Sequence, residues 1–342
     1  MNPEPRANAE PSTQNPEPVR GPRPVRWGLI GSGDIVRKRV AAALRDGTGS
    51  TLAGVSRARA DLVDATAREI GAARGYPTWQ ELVADPGIDA VYIATPVRLH
   101  AQQTIAAAEA GKHVLCEKPM AMNVTECDQM IEASSRAGVA LGIAYYRRFY
   151  PAVIRVKEIL ASGEIGTPVF AQMTAFERFD PKPGEPRSWL LDRSEAGGGP
   201  MADYGCHRLE VLLNLFGPVR RVSSIVSTVA LHREVEDTAV ALLQFEGGAT
   251  GMVAVTHAAA DRQDTFDLFG TKGSVRIASL NRGETAIRAE GRDRVESHPP
   301  AANLHQPLID DFVDAVRTGR MPAVDGDAGR AVAAVQDAIY RG

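Results

Sequence analysis

Between residues 25 and 144 the hydrophobic pattern alternates between two forms. Short apolar runs predict buried strands at Val25–Ile30, Thr51–Ser56, Ala90–Ala94, His113–Cys116 and Ala140–Ala144. Between them, apolar residues at helical spacing predict helices at Ile35–Asp46, Arg59–Ile70, Leu99–Ala110 and Val124–Ala137. Strand and helix in strict alternation predict a doubly wound parallel sheet, with ligand at the C-terminal ends of its strands.

The pattern changes after Tyr150. Helical spacing covers Pro151–Gly163 and Met201–Leu215, followed by β-like runs at Val219–Leu231, Thr238–Phe245, Ala249–Thr256, Thr265–Phe269 and Ser274–Ile277. Gly247-Gly248 marks a hairpin between two of these runs. Strands in series predict a second, α+β domain with an antiparallel or mixed sheet, closed by helices at Leu304–Thr318 and Asp327–Tyr340. The predicted organisation is α/β: a Pro-rich arm without fixed structure over 1–24, a dinucleotide-binding domain over 25–147, and an α+β domain over 148–342 whose last helices are free to pack back on the first.

Composition narrows the function. The 342 residues are 44% hydrophobic and 24% charged, and 39 Lys and Arg nearly balance 42 Asp and Glu for a net charge of −3. That balance gives no footprint for nucleic acid or anionic lipid, and no apolar run is long enough to span a bilayer. Three cysteines without a C-x-x-C, and an N-terminal arm without an apolar h-region, predict a reduced, cytoplasmic setting.

The strand ending at Ile30 breaks at Gly31-Ser32-Gly33 and a helix begins after Asp34-Ile35. Strand, glycine turn and helix start form the cradle a pyrophosphate needs. The glycines let the backbone approach the phosphates, and the helix offers unpaired N–H groups. Val36 stands at the third fingerprint position, where Gly or Ala is usual. The second strand ends in Ser56-Arg57, with no carboxylate before Asp61. A hydroxyl and a guanidinium suit a 2′-phosphate, so NADP is favoured over NAD.

Two stretches carry candidate chemistry. Ala94-Thr95-Pro96 with His100, and Glu117-Lys118-Pro119, fall at the cofactor-facing edge of the sheet. A lysine held there stabilises an alkoxide as it develops. In Gly197-Gly-Gly-Pro-Met-Ala-Asp203-Tyr-Gly-Cys-His207, Asp203 and His207 lie four apart on a predicted helix. Such a carboxylate fixes the imidazole's tautomer and raises its basicity. His207-x-x-Glu210 has metal-like spacing, but no third ligand suggests itself, so no metal is assigned. Arg147, Arg148, Arg187, Trp189 and Asp192 lie on stretches that can line a substrate pocket, with Arg148 and Trp189 preferred.

These motifs, with Gly111-Lys-His113 and Gly270-Thr-Lys-Gly273, resemble the glucose–fructose oxidoreductase / inositol dehydrogenase / rhizopine catabolism (Gfo/Idh/MocA) family from Val25 to the end. The resemblance implies a Rossmann domain followed by a domain with a large open, mostly antiparallel sheet that packs in homodimers or homotetramers. It implies NAD(P)-dependent oxidation or reduction of sugars and polyols, with Lys118 as the active-site lysine, Asp203 and His207 as its partners, and Glu117 beside the nicotinamide. The rival readings are a dihydrodiol or other non-sugar dehydrogenase on the same fold, and a catalytically silent cofactor sensor.

Overall fold

A computed structural model describes residues 23–289 and 291–342. Most of the predicted N-terminal arm, residues 1–22, lies outside them. The first sheet has six parallel strands: β1 Val25–Ile30, β2 Ser50–Ser56, β3 Arg74–Tyr76, β4 Ala90–Ile93, β5 His113–Cys116 and β6 Leu141–Ile143. Helices α1 Ala41–Asp46, α2 Val63–Ile70, α3 Trp79–Ala84, α4 His100–Glu109 and α5 Val124–Ala137 connect them. The spatial order is β3-β2-β1-β4-β5-β6, so the chain reverses direction between β1 and β4 and opens a crevice there. β3 and α3 were not predicted: Arg-Gly-Tyr is too short and polar to stand out.

The remainder comprises α6 Pro151–Ser162, β7 Pro168–Arg178, α7 Arg193–Ala196, α8 Cys206–Phe216, β8 Val219–Ser227, β9 Thr238–Phe245, β10 Thr250–Thr256, β11 Ala258–Gly270, β12 Gly273–Ile277, β13 Glu284–Ala289, β14 Arg292–Ser297, α9 Gln306–Thr318 and α10 Gly326–Arg341. The eight strands form one sheet ordered β14-β13-β12-β11-β7-β10-β9-β8, antiparallel except for the β7–β10 pair. Its inner face buries Ala171, Met173, Val253, Phe266 and Leu268 in the core. Ile225 and Leu242 stand on the outer face, 72% and 48% exposed.

The last two helices tie the halves together. α9 lies against β1 and α1, with Phe312 5.4 Å from the Trp27 ring, and α10 runs past α5, α8, β6 and β8. Among the described residues no helix is long and apolar enough to cross a membrane. The three cysteines are free and buried.

Candidate active site

A cleft of ≈ 1410 Å³ opens at the C-terminal ends of the parallel strands and is roofed by α8, β7 and β11. Gly31, Ser32, Gly33, Asp34 and Ile35 line one end. Gly31 has φ +102, and a Cβ there would meet the Ala94 carbonyl oxygen at 2.4 Å, so only glycine fits. A Cβ on Gly33 would meet nothing within 4 Å. Packing therefore does not require that glycine, and its bare backbone faces open space fit for a pyrophosphate. Ala94, Thr95 and Pro96 line the same end, and Asp34 pairs with Lys38 at 2.8 Å.

Two expectations for this end need correction. Ser56 is buried, 1% exposed, and its hydroxyl faces the interior, so any grip on a 2′-phosphate falls to Arg57. Arg57 lines the cleft, tethered by Nη1 to Thr66 Oγ1 at 2.8 Å. His100 sits behind the loop that it was expected to complete. Both its ring nitrogens stand 2.9 Å from carbonyl oxygens, of Pro119 and Thr95, and burial lowers its pKa. It holds the two loops together and offers nothing to a ligand.

At the middle of the cleft Lys118 and Asp203 meet. β5 delivers Lys118 from one side, and the turn before α8 delivers Asp203 from the other. Nζ donates to the Asp203 carbonyl at 2.6 Å and to Oδ1 at 3.1 Å, while Arg187 Nη2 donates to Oδ2 at 2.9 Å. Burial opposes charge on Lys118, but Asp203, together with Cys206 and Glu117, outweighs it and holds the pKa well above the usual lysine value. Burial likewise opposes charge on Asp203, yet Lys118 and Arg187 bring its pKa down to about 2. The carboxylate's stabilising contribution is therefore complete above its ordinary value of 3.8 and is lost as the pH falls through about 2.

The glycines before Asp203 serve close approach. A Cβ on Gly198 would meet Tyr340 Oη at 2.1 Å, and one on Gly199 the Glu236 carbonyl at 2.1 Å. Glu236 accepts from Gly199 N at 2.8 Å, Met201 N at 3.2 Å and Tyr340 Oη at 2.8 Å, fixing the segment that carries Asp203.

The predicted Asp203–His207 pair does not form. Met201–Gly205 is a π-helical turn, whose i→i+5 bonds widen the spiral so that residues four apart no longer stack. Both carboxylate oxygens of Asp203 face cations, and His207 Nδ1 is buried without a partner. Burial, then Lys118, Arg147, Arg208 and His305, push the His207 pKa well below its usual value. Its imidazole is neutral, held between the rings of Tyr145 and Tyr146 at 5.7 and 4.8 Å. Lys118 is thus held as a cation, while the His207 imidazole is neutral.

Glu117 lines the cleft, with Oε1 accepting from Tyr92 Oη at 2.7 Å and standing 3.5 Å from His305 Nε2. Trp189 and Arg187 also line it. Arg148 turns away, pairing with Glu210 and the Ala323 carbonyl, and Asp192 caps α7 through Ser194. Glu210 is thereby committed to Arg148 rather than placed beside His207.

Comparison with known proteins agrees with this geometry. The oxidoreductase family with an NAD-binding Rossmann fold matches residues 25–145, and the GFO/IDH/MocA C-terminal domain matches 153–276. The chain belongs to the GFO/IDH/MocA oxidoreductase family. It is 32% identical over 311 residues to a 1,5-anhydro-D-fructose reductase of Ensifer adhaerens, covering 89% of this chain and 92% of that one. A D-xylose 1-dehydrogenase (NADP(+)) of Haloferax volcanii is 30% identical over 319 residues, 92% and 96% of the two chains. Levoglucosan dehydrogenase in complex with NADH superposes with a TM-score of 0.85 at 27% identity, covering 93% and 96%. The protein is an NAD(P)-dependent oxidoreductase.

In this oxidoreductase, Asp203→Asn removes the charge that raises Lys118. The expected result is an alkaline limb of the pH–rate profile shifted toward neutrality by at least about one unit, since a close carboxylate moves a partner's pKa by one to three. An unmoved limb means another group holds the lysine charged. Sequence reasoning missed Tyr146, Arg208, Asp264 and His305, all of which line the cleft. Arg208 directly precedes the run Leu209–Leu213, apolar but for Glu210, and a charge at the edge of such a stretch was the available signal for it.

Proposed function

We propose that the protein transfers hydride between a sugar or polyol carbinol and a nicotinamide cofactor, with NADP preferred to NAD. The observation that carries this reading is a fixed ammonium, Lys118, and a neutral imidazole, His207, lining one cleft beside the glycine cradle. The cofactor, when bound, supplies the two-electron acceptor or donor. Gly31–Ile35 and Ala94–Pro96 hold its phosphates and ring end, and Arg57 holds the 2′-phosphate. In the oxidising direction His207 takes the hydroxyl proton, and Lys118 donates a hydrogen bond to the same oxygen as negative charge grows on it. Asp203 positions Lys118. Trp189 offers an apolar face to the sugar ring. The named sugar reductases and dehydrogenases among the relatives support the substrate class.

A panel of polyols, aldoses and ketoses, with cofactor absorbance as readout, tests the reading; cofactor binding without turnover of any member contradicts it. Arg57→Asp is expected to shift the NADP-to-NAD preference toward NAD by about ten- to a hundredfold, the worth of a charge-assisted hydrogen bond of about 1.5–3 kcal/mol. An unchanged ratio of the two affinities shows that another residue grips the phosphate. Three buried, unpaired cysteines support a cytoplasmic setting. The exposed apolar residues Ile225 and Leu242 on the outer sheet face support pairing of two copies through that face.

A further inference from the structure

The end of the cleft beyond His207 carries a charge imbalance. Arg147 and Arg208 both line it, 6% and 3% exposed, and share one carboxylate. Arg208 Nη2 hydrogen-bonds Asp264 Oδ1, while Arg147 Nη1 stands 3.5 Å from Oδ2. Arg147's other polar contact is Asn281 Oδ1 at 3.4 Å, and its guanidinium lies 5.8 and 5.4 Å from the Tyr146 and Tyr150 ring centres. The Nε atoms of both arginines are buried without an acceptor. The other carboxylates of the cleft are engaged: Asp34 with Lys38, Asp203 with Lys118 and Arg187, Glu177 with Arg262, and Glu117 with Tyr92 and His305.

Two buried guanidiniums against one carboxylate leave an uncompensated positive charge, and a buried charge without a partner is strongly unfavourable. The pair is unequal: burial and then Arg147 lower the Arg208 pKa, whereas at Arg147 burial is outweighed by Tyr146, Asp264 and Tyr150 and the pKa is raised, so the deficit of negative charge falls on Arg208. The two arginines arise from the turn before α6 and from α8, apart from the glycine turn that receives the pyrophosphate. Cofactor phosphates on that cradle therefore do not supply the missing charge.

We propose that the substrate is a sugar or polyol bearing an anionic group, the carboxylate of a sugar acid or a phosphate ester, and that Arg147 and Arg208 bind that group. The proposal rests on the sugar-oxidoreductase reading and adds the substrate's charge to it. Guanidinium donors in a planar fork match either oxyanion. An anion bound there also offsets the field of Arg147 and Arg208 at His207, so a charged substrate strengthens the base that takes its proton. Charge selectivity thus appears in kcat as well as in binding.

The test uses cofactor-loaded protein and matched pairs: D-gluconate against D-glucitol, and D-glucuronate and glucose 6-phosphate against D-glucose. Binding is read by calorimetry and turnover by cofactor absorbance. The expected result is about tenfold or tighter binding of a charged member than of its neutral partner. Arg208→Met and Arg147→Gln, on separate elements, each abolish that preference while cofactor affinity stays at its wild-type value and the melting temperature does not fall. A preference for the acids identifies a carboxylate and one for the phosphate a phosphate ester; either supports the site. Equal binding of charged and neutral members, no binding of any charged member, or a preference that survives both substitutions overturns it. Turnover of neutral sugars without charge selectivity sinks the anion site and leaves the sugar reading standing. Charge-selective binding without any turnover upholds the site and sinks the sugar chemistry.

Discussion

Replacing Lys118 by alanine is expected to lower kcat/KM about a hundred- to a thousandfold, the usual cost of removing one donor from a developing oxyanion. The loss falls mainly on kcat, because the ammonium is worth most when the substrate oxygen carries charge. Cofactor affinity stays near wild type, since the glycine turn and Arg57 hold the nucleotide. The fold survives as well: Asp203 keeps Arg187 at 2.9 Å, so the substitution does not orphan a buried carboxylate. Steady-state kinetics with a melting curve check this. A loss confined to KM means that Lys118 only binds the ground state.

Replacing His207 by glutamine carries the second large effect, about a hundred- to ten-thousandfold in kcat. The neutral imidazole also sets the pH dependence. Burial and the surrounding cations lower its pKa, so the base is already unprotonated at and below its ordinary value of 6.5. The acid limb of kcat/KM in the wild type therefore lies well below that value. The alkaline limb, set by Lys118, lies above the ordinary lysine value of 10.5. A broad plateau between the two is the expected profile. An acid limb centred near 6.5 means that the imidazole is not shielded by the cations around it. In His207→Gln the acid limb disappears if the histidine is the base, and persists if some other group is.

Much of this site was legible in the sequence because its first half is local. The strand, the Gly31-Ser-Gly33 turn and the helix after it follow one another along the chain, and His113–Cys116 and Val124–Ala137 fall where their apolar pattern puts them. What escaped is what depends on distant contacts. β7 has Ala171, Met173 and Ala175 facing inward, and with two of the three only alanines their alternation with Gln172 and Thr174 carries little contrast. β13 buries Thr285, Ile287 and Ala289 on alternate positions, but only Ile287 of these is large and apolar, and its partner β14 is polar and mostly exposed, so the hairpin's period is faint in the sequence as well. Thr265–Phe269 was recognised, but the strand begins at Ala258, across an exposed polar run that pairs with β7 only partly in register.

The side-chain partnerships were less legible still. Spacing four apart joined Asp203 to His207, and a single π-helical turn separated them and handed the carboxylate to Lys118 and Arg187. Arg147 and Arg148 are adjacent, yet the 3₁₀ turn over Tyr146–Phe149 sends one into the cleft and the other to Glu210. No local pattern distinguishes two neighbouring arginines. Burial does so only after Asp264 and Glu210 have been brought up from elsewhere in the chain.

In the proposed mechanism Lys118 and His207 act on one substrate oxygen beside the cofactor. A single-turnover measurement on cofactor-loaded protein tests it most directly, with a substrate carrying hydrogen or deuterium at the reacting carbon. The wild type should reduce the cofactor with a primary isotope effect, while the Lys118→Ala/His207→Gln double variant should bind cofactor normally and show no reduction above background. Cofactor reduction by the double variant at a rate near that of the wild type would contradict the assignment.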